Sequence, residues 1–431
     1  MNVCLMNDSF PPVIDGVANA VVNYAEVIQR DLGSCVVATP EYPGAADAYS
    51  FPVLRYPSLN TEKLVGYRTG LPFEVSTLYK LASGKPDLIH THCPATSALL
   101  ARSLRDVTGA PVVLTYHTKF DIDIQKALRG KLLQEAAIRA LVANVDACDE
   151  VWVVSQGAGK NLESLGYRGP WRVMENGVDL PRGSAEEAFI REATGGYDLP
   201  SGLPVFLFVG RLMWYKGIRL LLDGLRRFRG RGRDFRMVFV GSGGDEQEIR
   251  NYVEECSLGG QTVFTGAIRD REVLRAWYSR ASLLIFPSTF DTNGLVVREA
   301  AACALPALLI SGSCAAEGVL DGRNGLLISE EPESLCEKLL SVPGERLREI
   351  GERAQSELYL SWEESVHRAW ERYGEILELW SGSQKKKRLL TPVEDLTETM
   401  LELREALDKV RDKVLEKRHR FPFQQLTEKK E

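Results

Sequence analysis

The sequence predicts an α/β protein with two doubly wound parallel-sheet domains and a helical C-terminal extension. Short apolar runs alternate with longer helical stretches along most of the 431 residues, and this alternation is typical of parallel α/β architecture. The chain is long enough for two ordinary domains plus an appendage. Proline and glycine cluster in residues 181–203 and interrupt the alternation. This break predicts a linker between a first domain at 1–180 and a second at 204–360.

Apolar runs predict the strands of both sheets. In the first domain they are Val3–Met6, Cys35–Thr39, Leu88–Thr91, Val112–Thr115 and Val151–Val154, with helices such as Val17–Leu32 and Thr96–Thr108 between them. In the second domain they are Val205–Val209, Met237–Val240, Val263–Thr265, Leu283–Phe286, Ala307–Ile310 and Leu326–Ile328. Parallel strands share one carboxyl edge, so we expect the two domains to place their strand ends on a common cleft that binds ligand.

Composition excludes several classes of function. The net charge of -6 argues against nonspecific nucleic-acid binding, which needs a basic surface. No apolar run approaches the roughly 20 residues that span a bilayer, and the strand-like start at Val3–Met6 lacks the parts of a signal sequence. The eight cysteines include no CxxC pair, which indicates reduced thiols rather than disulfides or zinc ligands. We therefore expect a cytoplasmic protein.

The last segment, residues 382–431, has a composition of its own. Lys385–Arg388 is a basic run, which is either a solvated face or a contact with an anionic membrane surface. Thr391–Glu394 predicts a capped helix start. Apolar residues then recur at spacings of three and four in residues 393–414. That heptad pattern predicts either self-association as a coiled coil or a helix docked on its own domain.

The most informative stretch follows the predicted strand Leu283–Phe286. A polar loop carries Asp291, and Glu299 follows after seven intervening residues, on the first turns of a predicted helix. Two carboxylates and helix N-terminal amides therefore converge at the carboxyl end of a strand, where open α/β sheets bind ligands. Hydroxyls suit the acids and phosphates suit the amides, so a nucleotide-sugar fits this site.

A second loop of the same kind follows the strand Val205–Val209. It carries Arg211 and Lys216 five residues apart, before a helix predicted from Ile218. A planar guanidinium, a mobile ammonium and a helix N-terminus together suit a diphosphate. The alternative interpretation is that both side chains are solvated loop charges. The glycines of Gly241–Gly244, after the next strand, allow either a close approach to a ligand or to the partner domain, or a plain tight turn.

In the first domain, glycine and histidine mark the strand ends. Gly16 lies near the start of the first helix, where a phosphate or an acceptor could approach, or it serves only a turn. His117 follows the strand Val112–Thr115 and is predicted to point toward the cleft; the alternative is a purely structural histidine. His90 fits a core position, and the sequence leaves the place of His92 open.

Together these motifs resemble the retaining glycosyltransferases of family 4, which have the two-domain GT-B fold. The resemblance covers about residues 1–380 and rests on Gly16, His117 within Tyr-His-Thr, Asn176-Gly177-Val178-Asp179, Arg211 with Lys216, and the acid-x7-acid element. Residues 361–381 resemble the family's C-terminal helix, which crosses back to the first domain. This chain has Asp291 where the family has Glu, and Asn293 where it usually has Phe. The shorter acid at 291 bears on donor identity more than on activity, since a carboxylate remains.

The resemblance implies a role for each site residue. Arg211 and Lys216 would neutralise the diphosphate, Asp291 would contact sugar hydroxyls, and Glu299 would hold the ribose. The backbone at Asn293, Gly294 and Leu295 would meet sugar and phosphate, the backbone at Ala267 and Ile268 would read the base, and His117 would contact the transferred hexose. Enzymes of this fold generally need no metal, so no cofactor is expected.

Within the family, the sequence around Tyr-His-Thr and the start at residues 9–16 are most like bacterial enzymes that glycosylate diacylglycerol or other membrane-bound acceptors. The expected reaction moves a hexose from UDP-glucose to such a lipid, at the inner face of the cell membrane. A GDP-mannose- or UDP-hexose-dependent transferase of surface polysaccharide synthesis is the main alternative. A non-catalytic nucleotide-sugar-binding protein and a sugar-nucleotide epimerase fit the motifs less well. The missing GxGxxG argues against a dehydrogenase.

Overall fold

The computed structural model describes residues 1–382 except positions 14, 63–67, 122–123, 125–127 and 129. The basic run at 385–388 and the heptad pattern at 393–414 lie outside the described residues. The strands are β1 Asn2–Met6, β2 Ser34–Pro40, β3 Val53–Tyr56, β4 Ser58–Leu59, β5 Thr69–Gly70, β6 Leu88–Thr91, β7 Val112–Tyr116, β8 Glu150–Val153, β9 Arg172–Val173, β10 Val205–Val209, β11 Arg236–Val240, β12 Thr262–Gly266, β13 Leu283–Phe286, β14 Ala307–Ile310 and β15 Leu326–Ile328.

The helices alternate with these strands. They are α1 Gly16–Val27, α2 Val75–Ser83, α3 Thr96–Thr108, α4 Lys131–Asp146, α5 Gln156–Ser164, α6 Glu187–Thr194, α7 Ile218–Gly230, α8 Glu246–Glu255, α9 Arg271–Arg280, α10 Leu295–Ala302, α11 Pro332–Ser341, α12 Gly344–Glu357 and α13 Trp362–Gly382. No helix of the described residues is both long enough and apolar enough to cross a membrane.

The chain divides into two compact units. Of the described residues, the first comprises those within Met1–Trp152 and Lys160–Arg172 and those of the last helix from Arg372; the second comprises Val153–Gly159 and Val173–Glu371. Residues 181–203, predicted as a linker, group with the second unit, where α6 packs against α9. The residues of α13 up to Glu371 group with the second unit and those from Arg372 with the first.

The first unit contains a seven-stranded sheet in the order β3-β2-β1-β6-β7-β8-β9. The strands β1, β2, β3, β6 and β7 pair in parallel. The strand order reverses direction between β1 and β6, and such a switch point leaves a crevice at the carboxyl ends of the two strands. The chain leaves β1 at Met6 and β6 at Thr91, so the loops that precede Gly16 and include His92 flank this switch point.

The second unit contains a six-stranded parallel sheet in the order β12-β11-β10-β13-β14-β15. Its switch point lies between β10 and β13. The carboxyl ends of these two strands lead into the loops that carry Arg211 and Asp291. Topology therefore brings together two loops that are about 75 residues apart in sequence.

Burial explains why apolar runs in the sequence predicted the positions of the strands. All residues of β6, β7, β10, β11, β13 and β14 are buried, because helices cover both faces of a parallel sheet and the strands become continuous apolar runs. The predicted strands match the observed ones to within one or two residues at each end. The edge strand β3 was missed because it is short, contains Arg55 and is only half-buried at most positions.

The first helix differs from its prediction. Asp15 caps it by accepting hydrogen bonds from the backbone of Val17 and Ala18 at 2.9 and 2.7 Å, as an N-cap aspartate does. The α-helical segment ends at Val27, and Ile28–Leu32 form a π-helical turn that the apolar spacing did not indicate. All eight cysteines are free; six are buried and two are half-buried, consistent with the prediction of reduced thiols.

Candidate active site

The loops after β10 and β13 touch at the switch point of the second sheet. Gly217 has φ +76°, and a Cβ there would lie 2.1 Å from the Pro287 carbonyl oxygen. Only glycine permits this contact, because an added side chain would collide with backbone and strain the φ angle. The glycine that ends the Arg211–Lys216 loop thus allows it to lie directly against the start of the Asp291 loop.

Lys216 and Asp291 form an ion pair between these two loops. Lys216 Nζ lies 2.6 Å from Asp291 Oδ1, and the side chains are 9% and 24% exposed. The ammonium also lies 5.6–5.8 Å from the ring centroids of Tyr215, Phe286 and Phe290, within cation–π range. The pair is therefore held at a defined place instead of moving freely in solvent, which excludes the interpretation of Lys216 as a solvated loop charge.

Arg211 differs from Lys216 in its exposure and in its side-chain contacts. Its side chain is exposed, and among the described residues its guanidinium makes no hydrogen bond or ion pair. Only its backbone is engaged, through the carbonyl that accepts from Met213 N at 2.9 Å. The structure therefore places an uncompensated guanidinium at the carboxyl end of β10, on the loop that also carries Lys216.

Two buried polar atoms of the Asp291 loop lack a partner. Asp291 Oδ2 is an acceptor and Asn293 Nδ2 is a donor, and neither has a hydrogen bond within the described residues. Buried polar atoms without partners are uncommon in folded proteins and call for an explanation such as a bound ligand. A molecule that offers both a hydroxyl hydrogen and a hydroxyl oxygen would satisfy the two atoms together.

The end of this loop is shaped by close packing. Gly294 has φ +59°, and a Cβ there would lie 2.8 Å from Ala315 Cα. Gly294 is also the N-cap of α10, which begins at Leu295. The first amides of a helix have no partner inside it. Asn293, Gly294 and Leu295 therefore lie at the start of a helix, as the sequence predicted, and their contact with sugar and phosphate stays a prediction.

Ser155, which the sequence did not single out, anchors the same loop. Its hydroxyl donates to the Thr292 carbonyl oxygen at 2.5 Å and accepts from Ala158 N at 3.0 Å. Glu317 accepts from the neighbouring amides of Gln156 and Gly157, both at 2.6 Å. A serine after an apolar run carries no signal for such a contact, because its partner lies 137 positions away.

Glu299 belongs to a separate cluster on α10. Its Oε1 lies 2.7 Å from the Arg271 guanidinium, and its Oε2 accepts from the Tyr278 hydroxyl at 2.7 Å. Burial and the adjacent carboxylate raise the pKa of Tyr278 well above its usual value. Arg271 also lies 3.8 Å from Asp179 of the Asn-Gly-Val-Asp motif. Arg271 and Tyr278 were missed because neither belongs to a motif that the sequence revealed.

The Gly241–Gly244 turn packs on the Arg211 loop. A Cβ at Gly241 would lie 1.9 Å from Gly210 O, and one at Gly243 would lie 2.2 Å from Leu212 O. The glycines therefore permit a close approach to the backbone of the neighbouring loop in the same unit, and a close approach to a ligand or to the other domain stays a prediction. Ile268 follows β12 and packs partly buried against the core of the second unit, and Ala267 beside it is exposed.

In the first unit, Gly16 is the first residue of α1, and its surroundings are open. A Cβ built there would meet nothing within 4 Å. Asp8 follows β1 at the switch point between β1 and β6, and the sequence did not indicate it. It accepts hydrogen bonds from Ser97 N at 3.0 Å and Ser97 Oγ at 3.1 Å. Burial raises the pKa of Asp8. Asp8 thereby ties the end of β1 to the start of α3.

Three histidines form a buried column in the first unit. His90, His92 and His117 are 0%, 1% and 6% exposed. His92 Nδ1 lies 2.9 Å from His117 Nε2, and His90 is held by Tyr373 and Thr115. Burial lowers the pKa of His117 to about 3 and holds the pKa of both other histidines well below the usual 6.5. The prediction of His90 as a core residue is confirmed, and His117 is a neutral imidazole.

The structure thus groups most of the predicted residues at one sheet edge. Arg211, Lys216, Asp291, Asn293, Gly294 and Leu295 lie on the two touching loops of the second unit, and Glu299 follows on α10. Gly16 and His117 belong to the first unit. In the part of the chain that the structure describes, no group of three or more His, Cys, Asp or Glu side chains is placed to hold a metal ion.

Two family models match consecutive parts of the chain. The model described as Glycosyltransferase Family 4 matches residues 14–182, and the model described as Glycosyl transferases group 1 matches residues 190–356. The first match contains Gly16 and His117, and the second contains both loops of the switch point and Glu299. The two matches adjoin near the proline- and glycine-rich segment.

Curated relatives extend over most of the chain. It is 25% identical over 402 residues to sulfoquinovosyl transferase SQD2 of Arabidopsis thaliana, covering 88% of this chain and 74% of that protein. It is 21% identical over 355 residues to alpha-monoglucosyldiacylglycerol synthase of Streptococcus pneumoniae, covering 80% and 79%. It is 26% identical over 373 residues to a GDP-mannose-dependent alpha-mannosyltransferase of Mycobacterium tuberculosis, covering 84% and 93%.

Solved structures have the same fold. Sucrose-phosphate synthase from Thermosynechococcus elongatus matches with a TM-score of 0.69 at 22% identity, covering 88% of this chain and 99% of that one. Anabaena HepE in complex with UDP matches with a TM-score of 0.68 at 17% identity, covering 87% and 100%. The two parallel-sheet units, the two adjoining family models and the transferases among the relatives agree: the chain is a GT-B glycosyltransferase of the family 4 type, a hexosyltransferase.

Proposed function

We propose that this enzyme transfers a hexose, with retention, from a UDP-sugar, UDP-glucose by preference, to a membrane lipid such as diacylglycerol or a glycolipid. The observation that carries the proposal is the loop pair at the β10/β13 switch point. There Asp291 Oδ2, a buried acceptor, and Asn293 Nδ2, a buried donor, have no hydrogen-bond partner among the described residues. They share the site with the Lys216 ammonium and the exposed Arg211 guanidinium. One side of this site suits sugar hydroxyls and the other suits a diphosphate.

The charges match the chemistry of glycosyl transfer. Breaking the anomeric C–O bond leaves positive charge on the sugar and negative charge on the departing diphosphate. Fixed positive groups at the leaving oxygen stabilise this change, and one such donor contributes roughly 3 kcal/mol. Lys216 is positioned by Asp291 and by three aromatic rings before any ligand binds. Arg211 has no protein partner to give up within the described residues when it meets phosphate oxygens.

The remaining residues complete the proposed donor site. Glu299 would accept from the ribose hydroxyls. It already accepts one bond at each oxygen, and a carboxylate has about four lone-pair sites, so a ribose can bind without displacing Arg271. The backbone at Ile268 would meet the base. In the other unit, His117 would contact the transferred hexose, and Gly16 would leave room for a phosphate or the acceptor.

The choice of a lipid acceptor is supported by one of the relatives, whose name describes an alpha-monoglucosyldiacylglycerol synthase. The basic run at 385–388 would add attraction to an anionic membrane of about 1 kcal/mol per charge, at the inner face of the cell membrane. The second candidate is a GDP-mannose-dependent transferase of polysaccharide synthesis, favoured by the mannosyltransferase relative.

A thermal-shift panel of UDP, GDP and their hexose conjugates tests the donor. A ligand present at about 100 times its dissociation constant raises the free energy of unfolding by roughly 2.7 kcal/mol. We expect stabilisation by UDP and by UDP-glucose, and none by GDP. The acceptor is tested with labelled UDP-glucose and vesicles that contain diacylglycerol, compared with vesicles of phosphatidylcholine alone. Stabilisation by GDP-mannose with no lipid product would favour the second candidate.

Two further expectations belong to this proposal. Transfer should be independent of added metal, so activity after dialysis against EDTA should equal activity with Mg²⁺. Self-association through residues 393–414 is tested by truncation after Ser381, followed by sizing and activity measurements. A truncated chain that elutes at the same oligomeric state as the full chain would contradict self-association through this segment.

A further inference from the structure

The contact between His92 and His117 restricts where their protons lie. The two ring nitrogens, His92 Nδ1 and His117 Nε2, are 2.9 Å apart. Both imidazoles are neutral, so each ring carries one proton, and a hydrogen bond needs one N–H and one lone pair. Two arrangements are possible: His92 donates to His117, or His117 donates to His92.

The other nitrogen of His92 distinguishes the two arrangements. His92 Nε2 is buried and has no hydrogen-bond partner within the described residues. If His117 donated, the His92 proton would sit on Nε2 as a buried N–H without an acceptor, which folded proteins rarely contain. If His92 donates from Nδ1, only a lone pair on Nε2 is left unused. The arrangement in which His92 donates to His117 is therefore favoured, because it leaves no buried N–H without an acceptor.

The surrounding side chains hold the His92 ring in place for this role. The His90 ring lies 4.0 Å from it and the His117 ring 5.2 Å, centroid to centroid, and Tyr24 packs edge-on at 5.1 Å. The His92 backbone amide donates to Met6 O at 2.8 Å. His90 is itself held at both nitrogens by Tyr373 and Thr115. The column is thus fixed from the end of β1 and from α13.

We propose that His92 is a positioning residue that holds His117 as the tautomer protonated at Nδ1, with the Nε2 lone pair occupied by the His92 hydrogen bond. Toward a sugar oxygen, His117 then acts only as a donor, and it cannot take a proton through Nε2 without losing its contact with His92. The consequence for transfer rests on the proposed role of His117 at the hexose. The tautomer itself does not depend on that role.

Nitrogen NMR on the wild-type protein tests the tautomer directly. The chain has five histidines, so long-range ¹H–¹⁵N spectra of histidine-labelled protein will contain few signals, and a His117→Gln variant assigns the His117 pair. We expect Nδ1 of His117 to show the shift of a protonated nitrogen and Nε2 that of an acceptor. A wild-type His117 protonated at Nε2 would overturn the proposal, whatever the activity measurements give.

Two variants of His92 test the consequence for transfer. His92→Phe keeps a ring in the column but removes the donor, whereas His92→Asn keeps an amide N–H near the place of Nδ1. Loss of a residue that fixes the tautomer of a histidine in an active site can strongly lower turnover. We therefore expect His92→Phe to lower kcat at least about tenfold, with the affinity for UDP unchanged. His92→Asn should stay within about threefold of wild type.

The two variants can also contradict the positioning role. Equal kcat in His92→Phe and wild type would do so, as would an equal loss in both variants. If the protein transfers nothing from UDP-glucose, the proposed donor is wrong, and the wild-type spectra still decide the tautomer. If His92→Phe fails to fold, the same spectra decide it.

Discussion

Lys216 Nζ and Asp291 Oδ1 lie 2.6 Å apart, on two loops that the β10/β13 switch point brings together. The pair joins the group expected to face a diphosphate to the group expected to face the sugar. Asp291 Oδ1 holds the ammonium, whereas Asp291 Oδ2 has no hydrogen-bond partner among the described residues and is the oxygen that we propose to bind the ligand. Substitution of Lys216 alone or of Asp291 alone should therefore disturb both the ion pair and the binding of the ligand.

A double-mutant cycle on this pair separates its structural and catalytic roles. Lys216→Met should lower turnover about 100-fold and reduce the free energy of unfolding by about 1–3 kcal/mol, because it leaves a largely buried carboxylate unpaired. Lys216→Met with Asp291→Asn should recover much of the stability but none of the turnover. Urea unfolding and transfer assays measure both. Additive losses of stability would contradict a direct pair.

Arg211 should behave differently from Lys216. Arg211→Ala should also lower turnover about 100-fold, but its melting temperature should equal that of wild type, since the guanidinium has no partner among the described residues. The matched control is Arg226→Ala, which should keep full turnover. Arg226 is an exposed arginine of α7 that forms an ion pair with Asp223 at 3.6 Å. Near-normal turnover of Arg211→Ala would remove it from the phosphate site.

The length of the acid at 291 is expected to affect donor choice. Asp291→Glu restores the longer acid of the family pattern and moves the carboxylate by about one methylene. We expect a changed ratio of kcat/KM between UDP-glucose and UDP-galactose, measured by direct competition. The Asp291→Asn variant controls for loss of charge. An unchanged ratio in Asp291→Glu would mean that the shorter side chain is only tolerated.

Arg271 is expected to support nucleotide binding through Glu299. Arg271→Gln removes the group that orients Glu299 Oε1, and we expect UDP affinity to fall about tenfold, or about 1.4 kcal/mol. Titration calorimetry with UDP measures this. Arg275→Gln is the control on the same helix, because its guanidinium bonds to the Gly183 carbonyl and not to Glu299. Unchanged UDP affinity in Arg271→Gln would contradict the positioning of Glu299.

The histidine column predicts a loss of stability in mild acid. His90, His92 and His117 have pKa values below the usual 6.5 when folded, so the unfolded chain binds more protons than the folded chain as the pH falls through 6.5. The free energy of unfolding should therefore fall with pH, by up to about 1.4 kcal/mol per pH unit for each histidine. Below pH 3, where His117 also titrates in the folded state, its own contribution to the slope ends.

Urea unfolding at pH 7.5, 6.0 and 5.0 measures this slope. The free energy of unfolding of His117→Phe should change less steeply with pH than that of the wild type, because one histidine no longer contributes to the slope. This holds whatever the absolute stability of the variant. The same slope in both proteins would show that His117 is protonated in the folded state over this range. Above about pH 7 the three histidines should contribute no slope, because they are neutral in both states.

Much of the fold could be predicted because buried parallel strands carry their own signal. Apolar runs such as Leu283–Phe286 and Ala307–Ile310 match the observed strands residue for residue, since both faces of these strands are covered. The glycines and charged residues after these runs predicted the edge of the sheet at which we propose that the ligand binds. Edge strands such as β3 carry a weaker signal, because one side meets solvent and polar residues are allowed.

The amino-acid sequence by itself determined the α/β class, the strand ends that we propose as the site, and the types of side chain placed there: Arg211 and Lys216 in one loop, Asp291 in another, His117 in a third. Tertiary structure alone decided their partners. The strand order places β10 beside β13, so that Lys216 forms an ion pair with Asp291. Arg271 and Tyr278 bind the two carboxylate oxygens of Glu299. The reason is physical: local spacing sets which residues leave a strand together, but hydrogen bonds and ion pairs form between groups that only the packing of distant segments brings within 3 Å.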